Sequence, residues 1–254
     1  MLPLRDTIPS RHRPVATYVI IGINVAVFLF TLRLSGQDLF TVFHLFGVVP
    51  RRFTDPAWSA HIGYPQGAFW PFLTSMFLHG GWFHLITNMW ILWIFGDNVE
   101  DRMGPFRFVV FYVLCGIASA FVHTATNAGS SAPVVGASGA IAGVLAAYVL
   151  LYPMAQVLCV VLLIFYPIFF EIPAFVFIVF WFIVQVVSGA FSLLAPGPVS
   201  GIAWWAHIGG FLTGLLLAPL FFRRHRHHHQ RFPQPGLRST PGTAYPSWSS
   251  REFR

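Results

Sequence analysis

Ser138 stands in Val135-Gly136-Ala137-Ser138-Gly139-Ala140, a hydroxyl among small residues at the head of a strongly apolar run. Sixty-nine residues on, Ala206-His207-Ile208-Gly209-Gly210 sets a histidine in a second apolar, glycine-lined run. A serine hydroxyl is a weak nucleophile until a neighbouring base takes its proton, and an imidazole is the commonest such base. A third cluster, His79 to Asn88, contains His84 and Asn88 four residues apart, hence on one helical face. Imidazole and carboxamide N–H groups are the donors that can stabilise a developing oxyanion. Each cluster alone also fits helix packing, since small residues and polar side chains join helices within membranes. Together they point to acyl transfer.

These residues must be held by membrane helices. Of the 254 residues, 56% are hydrophobic and 9% charged, against about 25% charged in ordinary soluble domains; the mean hydropathy is +0.68. A helix crosses the hydrocarbon in about 20 apolar residues. Six segments qualify: 15–34, 73–95, 106–126, 137–153, 172–192 and 203–222. All 15 basic residues are arginines, and they gather before the first span and after the last. By the positive-inside rule both ends are cytoplasmic and the span number is even. Alternation then leaves twelve arginines inside and three, Arg33, Arg51 and Arg52, outside. The net charge of +7 thus reads as a topology signal and not as nucleic-acid binding.

Gly139 with Gly143, and Gly210 with Gly214, make small-xxx-small faces that let two helices approach closely. His207 lies one turn before Gly210, so this approach brings Ser138 and His207 together. Ser138, at a helix start, also sits beside free backbone N–H groups at the positive end of the dipole.

The connections carry further expectations. Residues 35–72 are too long and too rich in proline, glycine and aromatics for a simple turn. Phe40, Phe43, Phe46, Trp58, Phe69 and Trp70 suit the membrane interface. Residues 96–105, with Asp97, Glu100, Asp101 and Arg102, read as a cytoplasmic loop that Glu100 caps or braces. Residues 154–171, bracketed by Pro153, Pro167 and Pro173, read as an extended or re-entrant segment in preference to a seventh crossing. The expected organisation is a cytoplasmic segment 1–14, a helical domain 15–222 and a disordered basic tail 223–254. The first apolar run is long enough to span and lacks a convincing cleavage site, so it reads as a retained helix. The tail's His225, His227, His228 and His229 are assigned no metal. Cys115 and Cys159 form no disulfide framework or metal motif.

At this point the residues resemble the rhomboid intramembrane serine proteases. The resemblance rests on Gly136-Ala137-Ser138-Gly139, on Ala206 to Gly210 with Gly214, on the His84 and Asn88 pair, and on Glu100 within residues 96–104. It covers roughly residues 15–222, and the order and spacing of the motifs make it specific. It implies an all-α, polytopic six-transmembrane-helix bundle that hydrolyses peptide bonds of transmembrane-helix substrates without a cofactor or metal. By position Ser138 is similar to the nucleophile, His207 to the base, and His84 and Asn88 to the oxyanion donors. Two positions depart from the family pattern. Where an arginine often follows the loop tryptophan this chain has Pro71 after Trp70, so an arginine anchor is absent or supplied by Arg51 or Arg52. One turn after the nucleophile, where many members carry an aromatic that packs on the histidine, it has Ala142.

The chemistry expected is a Ser-His dyad, because Asp97, Glu100 and Asp101 fall at the opposite membrane face. Substrates would be transmembrane proteins that unwind near the outer leaflet and enter laterally past Phe177, Trp181 and Phe182, with Gln185 on the face of Phe177 and Trp181. Partners are then membrane protein substrates and the lipid bilayer, with no nucleic acid; nothing in the sequence sets an oligomeric state. A bacterial inner membrane is the expected location, with both termini cytoplasmic. A transporter built of two related halves would show an internal repeat, and none is found. A metalloprotease would need a motif such as HExxH, and an aspartyl protease two buried aspartates; the apolar segments contain neither.

Overall fold

The computed structural model describes residues 1–163, 166–194 and 203–223. The expected tail and its histidine cluster lie outside the described residues, apart from Arg223. The chain runs β1 (Leu2–Asp6), α1 (Val15–Thr31), α2 (Gly36–Phe46), α3 (Pro50–Thr54), α4 (Pro56–Ile62) and α5 (Pro71–Thr74). A 3-10 turn at Ser75–Phe77 leads to α6 (Trp82–Met103), α7 (Pro105–Thr126) and α8 (Ser138–Leu151). Then come β2 (Gln156–Leu163), β3 (Tyr166–Pro173), α9 (Ala174–Leu194) and α10 (Trp204–Phe221).

The protein is mostly helical, and it spans a membrane more than once. Among the described residues three helices, α7, α9 and α10, are long and apolar enough to cross; α1 and α8 are apolar but shorter. The expectation of an all-α chain is corrected by a three-stranded sheet in the order β1-β2-β3. Residues 154–171, expected as extended or re-entrant, form most of an antiparallel hairpin in which Gln156 faces Pro173 and Leu163 faces Tyr166. β1 adds antiparallel to β2, with Leu2 opposite Val160 and Asp6 opposite Val157, and a register shift between Pro3 and Arg5. Alternate β2 residues Val157 and Cys159 are fully buried, as the two-residue period of a strand requires. Trp90 Nε1 donates to the Pro3 carbonyl at 2.7 Å, and the Tyr148 hydroxyl donates to Asp6 Oδ2. These bonds tie the sheet to α6 and α8.

A second correction concerns residues 96–105. Hydropathy falls after Phe95, but the helix does not end there: α6 continues through Asp97, Glu100, Asp101 and Arg102 to Met103. Helical hydrogen bonding needs no apolar side chains, so polarity ended the hydrophobic window without ending the helix. At the other end α6 begins at Trp82, after Gly80-Gly81, and not near residue 73. Gly104, at φ +80, makes the turn into α7, where Pro105 takes the first helical position.

Glu100 explains the start of α1. Pro14 offers no side-chain cap, so the first N–H groups of α1 need an acceptor from elsewhere. Glu100 Oε1 accepts from Ala16 N at 2.9 Å, and Oε2 accepts from Thr17 N and Thr17 Oγ1 at 2.8 Å each. One helix thus caps another.

The long connection is built of short helices around Arg52, which is 5% exposed. Its Nη1 donates to Leu45 O at 3.2 Å and its Nη2 to Pro65 O at 3.3 Å. The guanidinium carbon lies 5.0 Å from the Tyr64 ring centre and 5.6 Å from that of Trp70. Of the two arginines expected as alternatives, Arg52 is the buried anchor; Arg51 pairs with Asp55 at 3.1 Å on the surface. The connection in turn holds the segment before α8. Val48 and Val134 exchange backbone bonds of 2.9 and 2.8 Å, and Gly136 N donates to Ser75 O at 2.9 Å.

Candidate active site

The crossing of α8 and α10 is backbone against backbone. A Cβ at Gly210 would overlap Gly139 O, one at Gly214 would come within 2.6 Å of Gly143 Cα, and one at Gly143 would stand 3.2 Å from Gly210 O. The α10 glycines are therefore required for the contact with α8, whereas the α8 glycines are required mainly by α7, where a Cβ at Gly139 would overlap Ser119 and one at Gly143 would stand 2.5 Å from Cys115 Sγ. This crossing sets the distance between the first residue of α8 and the first turn of α10.

Ser138 is that first residue, and His207 is in that turn. Ser138 Oγ and His207 Nε2 are 2.7 Å apart, inside the reach of a nucleophile and its general base. As the first helical residue, Ser138 also lies among N–H groups that have no carbonyl four residues earlier within the helix.

His84 and Asn88 face this point from α6. Gly136, two residues before Ser138, has φ +128, a conformation L side chains rarely adopt. A Cβ there would stand 2.6 Å from His84 Nε2 and 3.8 Å from Asn88 Nδ2. Glycine is therefore needed for the turn, and its bare surface is what the two donors approach. Asn88 is 7% exposed, and its Nδ2 is buried without an acceptor among the described residues. His79 lies behind His84, ring centres 5.0 Å apart. It is 2% exposed and does not line the cavity beside the site.

That cavity, of about 1280 Å³, is lined by His84, Asn88, Ser138 and His207, and by Ser119 and His123 of α7. The last two were not foreseen from the sequence. Their four-residue spacing puts them on one face of α7, a signal of the same kind as His84 and Asn88, but with no glycine motif beside it. Ser119 occupies the space that a side chain at Gly139 would need.

The other side of His207 is held by α9. His207 Nδ1 lies 2.7 Å from Gln185 Oε1, and the Trp181 ring centre is 5.8 Å from that of His207. Trp204 of α10 adds an edge contact at 6.5 Å. Ala142, at the position expected to carry a supporting aromatic, is fully buried; the aromatic contact comes from α9 and α10 instead. Of the other α9 residues singled out from the sequence, Phe177 is 5% exposed and stacks on Phe95 at 6.0 Å. Phe182 stacks on Phe211 at 4.3 Å. Among the described residues no three His, Cys, Asp or Glu side chains converge as a metal site would require.

A hydroxyl hydrogen-bonded to an imidazole, with amide and imidazole donors across a glycine turn, is an arrangement suited to acyl transfer within a multi-pass membrane protein. Residues 66–224 match the Rhomboid domain, and the chain belongs to the rhomboid family. It is 37% identical over 153 residues to the mouse (Mus musculus) presenilin-associated rhomboid-like protein, mitochondrial, covering 57% of this chain and 36% of that protein. The human (Homo sapiens) protein of that name is 36% identical over the same length and the same shares. RHOMBOID-like protein 6, mitochondrial, of Arabidopsis thaliana is 29% identical over 153 residues, 58% of this chain and 42% of that one. The matched region spans well under half the length of each of these relatives. Their names are mitochondrial, and none supports the expected bacterial inner membrane.

Proposed function

We propose that the chain is an intramembrane serine endopeptidase that cleaves transmembrane-helix substrates with Ser138 as nucleophile and His207 as base. The observation that carries this reading is the 2.7 Å approach of Ser138 Oγ to His207 Nε2 beside the unpaired Asn88 amide. Ser138 Oγ attacks the scissile carbonyl carbon while His207 Nε2 takes the hydroxyl proton. The resulting oxyanion accepts from Asn88 Nδ2, His84 and the Ser138 backbone N–H. His207 then gives its proton to the leaving amine as the C–N bond breaks, leaving an acyl-enzyme that water hydrolyses with His207 again as base. No cofactor enters these steps.

The six helices α1, α6, α7, α8, α9 and α10 would be the spans of the protease core. The cavity supplies water below the membrane surface. A substrate must unwind locally to expose its backbone, since helical carbonyls are already hydrogen-bonded. It enters beside α9, whose Phe177, Trp181 and Phe182 form the candidate gate. The arginine-rich ends place both termini on the same side of the membrane. The location consistent with the relatives' names is a mitochondrial membrane.

Purified protein reconstituted in liposomes with a single-span substrate tests the assignment. Wild type cuts the substrate, and Ser138→Ala and His207→Ala abolish cutting. A wild type that cuts no helical substrate overturns it and makes the chain a membrane-client binder with a rhomboid fold; cleavage surviving in Ser138→Ala overturns Ser138 as the nucleophile.

A further inference from the structure

A chain of hydrogen bonds leads from Ser138 through His207 into α9, and its direction is determined at the far end. Gln185 Nε2 lies 3.2 Å from the Trp181 carbonyl oxygen, one turn back on the same helix. A carbonyl can only accept, so the Gln185 NH₂ faces it and Oε1 faces away. Oε1 is 2.7 Å from His207 Nδ1, and a carboxamide oxygen can only accept. Nδ1 must therefore carry the proton. In a neutral imidazole Nε2 is then the acceptor, and it lies 2.7 Å from Ser138 Oγ. Every proton in the sequence is assigned by one backbone carbonyl.

We propose that Gln185 is a positioning residue that fixes the Nδ1–H tautomer and ring orientation of His207, so that the site works as Ser138-His207-Gln185. The proposal rests on the protease reading above for its kinetic consequence, not for the tautomer itself. When Ser138 Oγ bonds to the substrate carbon and its proton moves to Nε2, the imidazolium keeps Nδ1–H and goes on donating to Gln185 Oε1. The neutral amide takes up no proton. An ionised carboxylate in this role would incur a heavy desolvation cost within an apolar helix, whereas Gln185 supplies the same acceptor uncharged. It is 4% exposed, which holds its geometry. With Trp181 against the ring at 5.8 Å, α9 secures both the edge and the face of the histidine, a task that Ala142 cannot perform.

The direct test is nitrogen-15 solid-state NMR of histidine-labelled full-length protein in lipid bilayers, with His207 assigned by difference from His207→Ala. The expected result is a single Nδ1–H tautomer in wild type that becomes mixed in Gln185→Leu and is kept in Gln185→Glu. An Nε2–H tautomer in wild type, or no change in Gln185→Leu, overturns the proposal whether or not the protein is a protease. The kinetic test is labelling of Ser138 by a fluorophosphonate probe. Gln185→Leu lowers the labelling rate at saturating probe about tenfold to a hundredfold, as misorientation of a base does, with little change in half-saturation. Gln185→Glu restores it to within about threefold. A defect confined to half-saturation would assign Gln185 to substrate entry and overturn the positioning role. If wild type is not labelled at all, the protease reading fails, and the tautomer measurement still decides the role of Gln185.

Discussion

The two ends of α6 carry the same kinds of residue in opposite conditions. Asn88 and Asn98 lie ten residues apart on this helix, about 15 Å along its axis, with Leu92 and Phe95 buried between them. At the far end Glu100 accepts three hydrogen bonds from the start of α1. Asn98 Nδ2 donates to Asp6 Oδ2 at 2.9 Å and to Asp97 Oδ1 at 3.1 Å, although its own Oδ1 stays unpaired. At the near end Asn88 Nδ2 and both ring nitrogens of His79 are buried without partners among the described residues. An unpaired buried polar group costs about 1–3 kcal/mol. Under the proposed function the Asn88 donor, which lines the cavity beside Ser138, gains its acceptor only when an oxyanion forms, so at Asn88 the near end gives up stability for chemistry; His79, behind His84, has no such part. At the far end the Glu100 carboxylate is instead fully engaged in holding α1.

Two substitutions separate these roles. Asn88→Ala, at the near end, lowers kcat about 100- to 1000-fold, or about 3–4 kcal/mol, while leaving the midpoint of unfolding in denaturant unchanged or slightly raised. An unchanged rate with a lowered midpoint would make Asn88 a structural residue like those at the other end. Glu100→Ala does the reverse: it removes the acceptor for two backbone N–H groups and a hydroxyl, and costs about 2–3 kcal/mol of stability. Its rate per folded molecule stays near that of wild type, as measured by labelling of Ser138 with a fluorophosphonate. A folded Glu100→Ala protein with a large loss of rate would mean that the two ends communicate.

The near end was the more legible in the sequence. Gly139, Gly143, Gly210 and Gly214 announce a close crossing by spacing alone, and a helical period sets His84 and Asn88 on one face. The partner of His207 Nδ1 was not legible. Gln185 shares a face with Phe177 and Trp181, but whether that face meets lipid or a histidine depends on how α9 is rotated, which no local pattern encodes. The far end was obscured by its charges. Hydropathy stops at Phe95, so Glu100 reads as part of a loop, although its carboxylate caps α1. The sheet was hidden for another reason: β1 and β2 meet across some 150 residues, and nothing near residues 2–6 indicates a strand partner so distant. The Arg52 anchor lay between, foreseen as one of two choices that only burial could separate.

The smallest effect comes from Asp6, which tests whether every polar group at the far end is as settled as Glu100. Burial holds the Asp6 carboxyl above the ordinary aspartate range, and the hydrogen bond from Tyr148 only partly opposes this. A carboxyl whose pKa is higher folded than unfolded binds more protons in the folded state, so stability falls as pH rises through the window between the two values. Below the ordinary aspartate range, near pH 4, the penalty is absent; above the folded value it is complete. Thermal unfolding of wild type and Asp6→Asn across this window reads the effect as a difference. Relative to Asp6→Asn, the wild-type Tm should decline as pH rises from about 4 and then run parallel. If wild type instead gains stability with rising pH, the bonds from Tyr148 and Asn98 outweigh burial. Asp6 would then be a satisfied anion, and the contrast between the two ends would be sharper still.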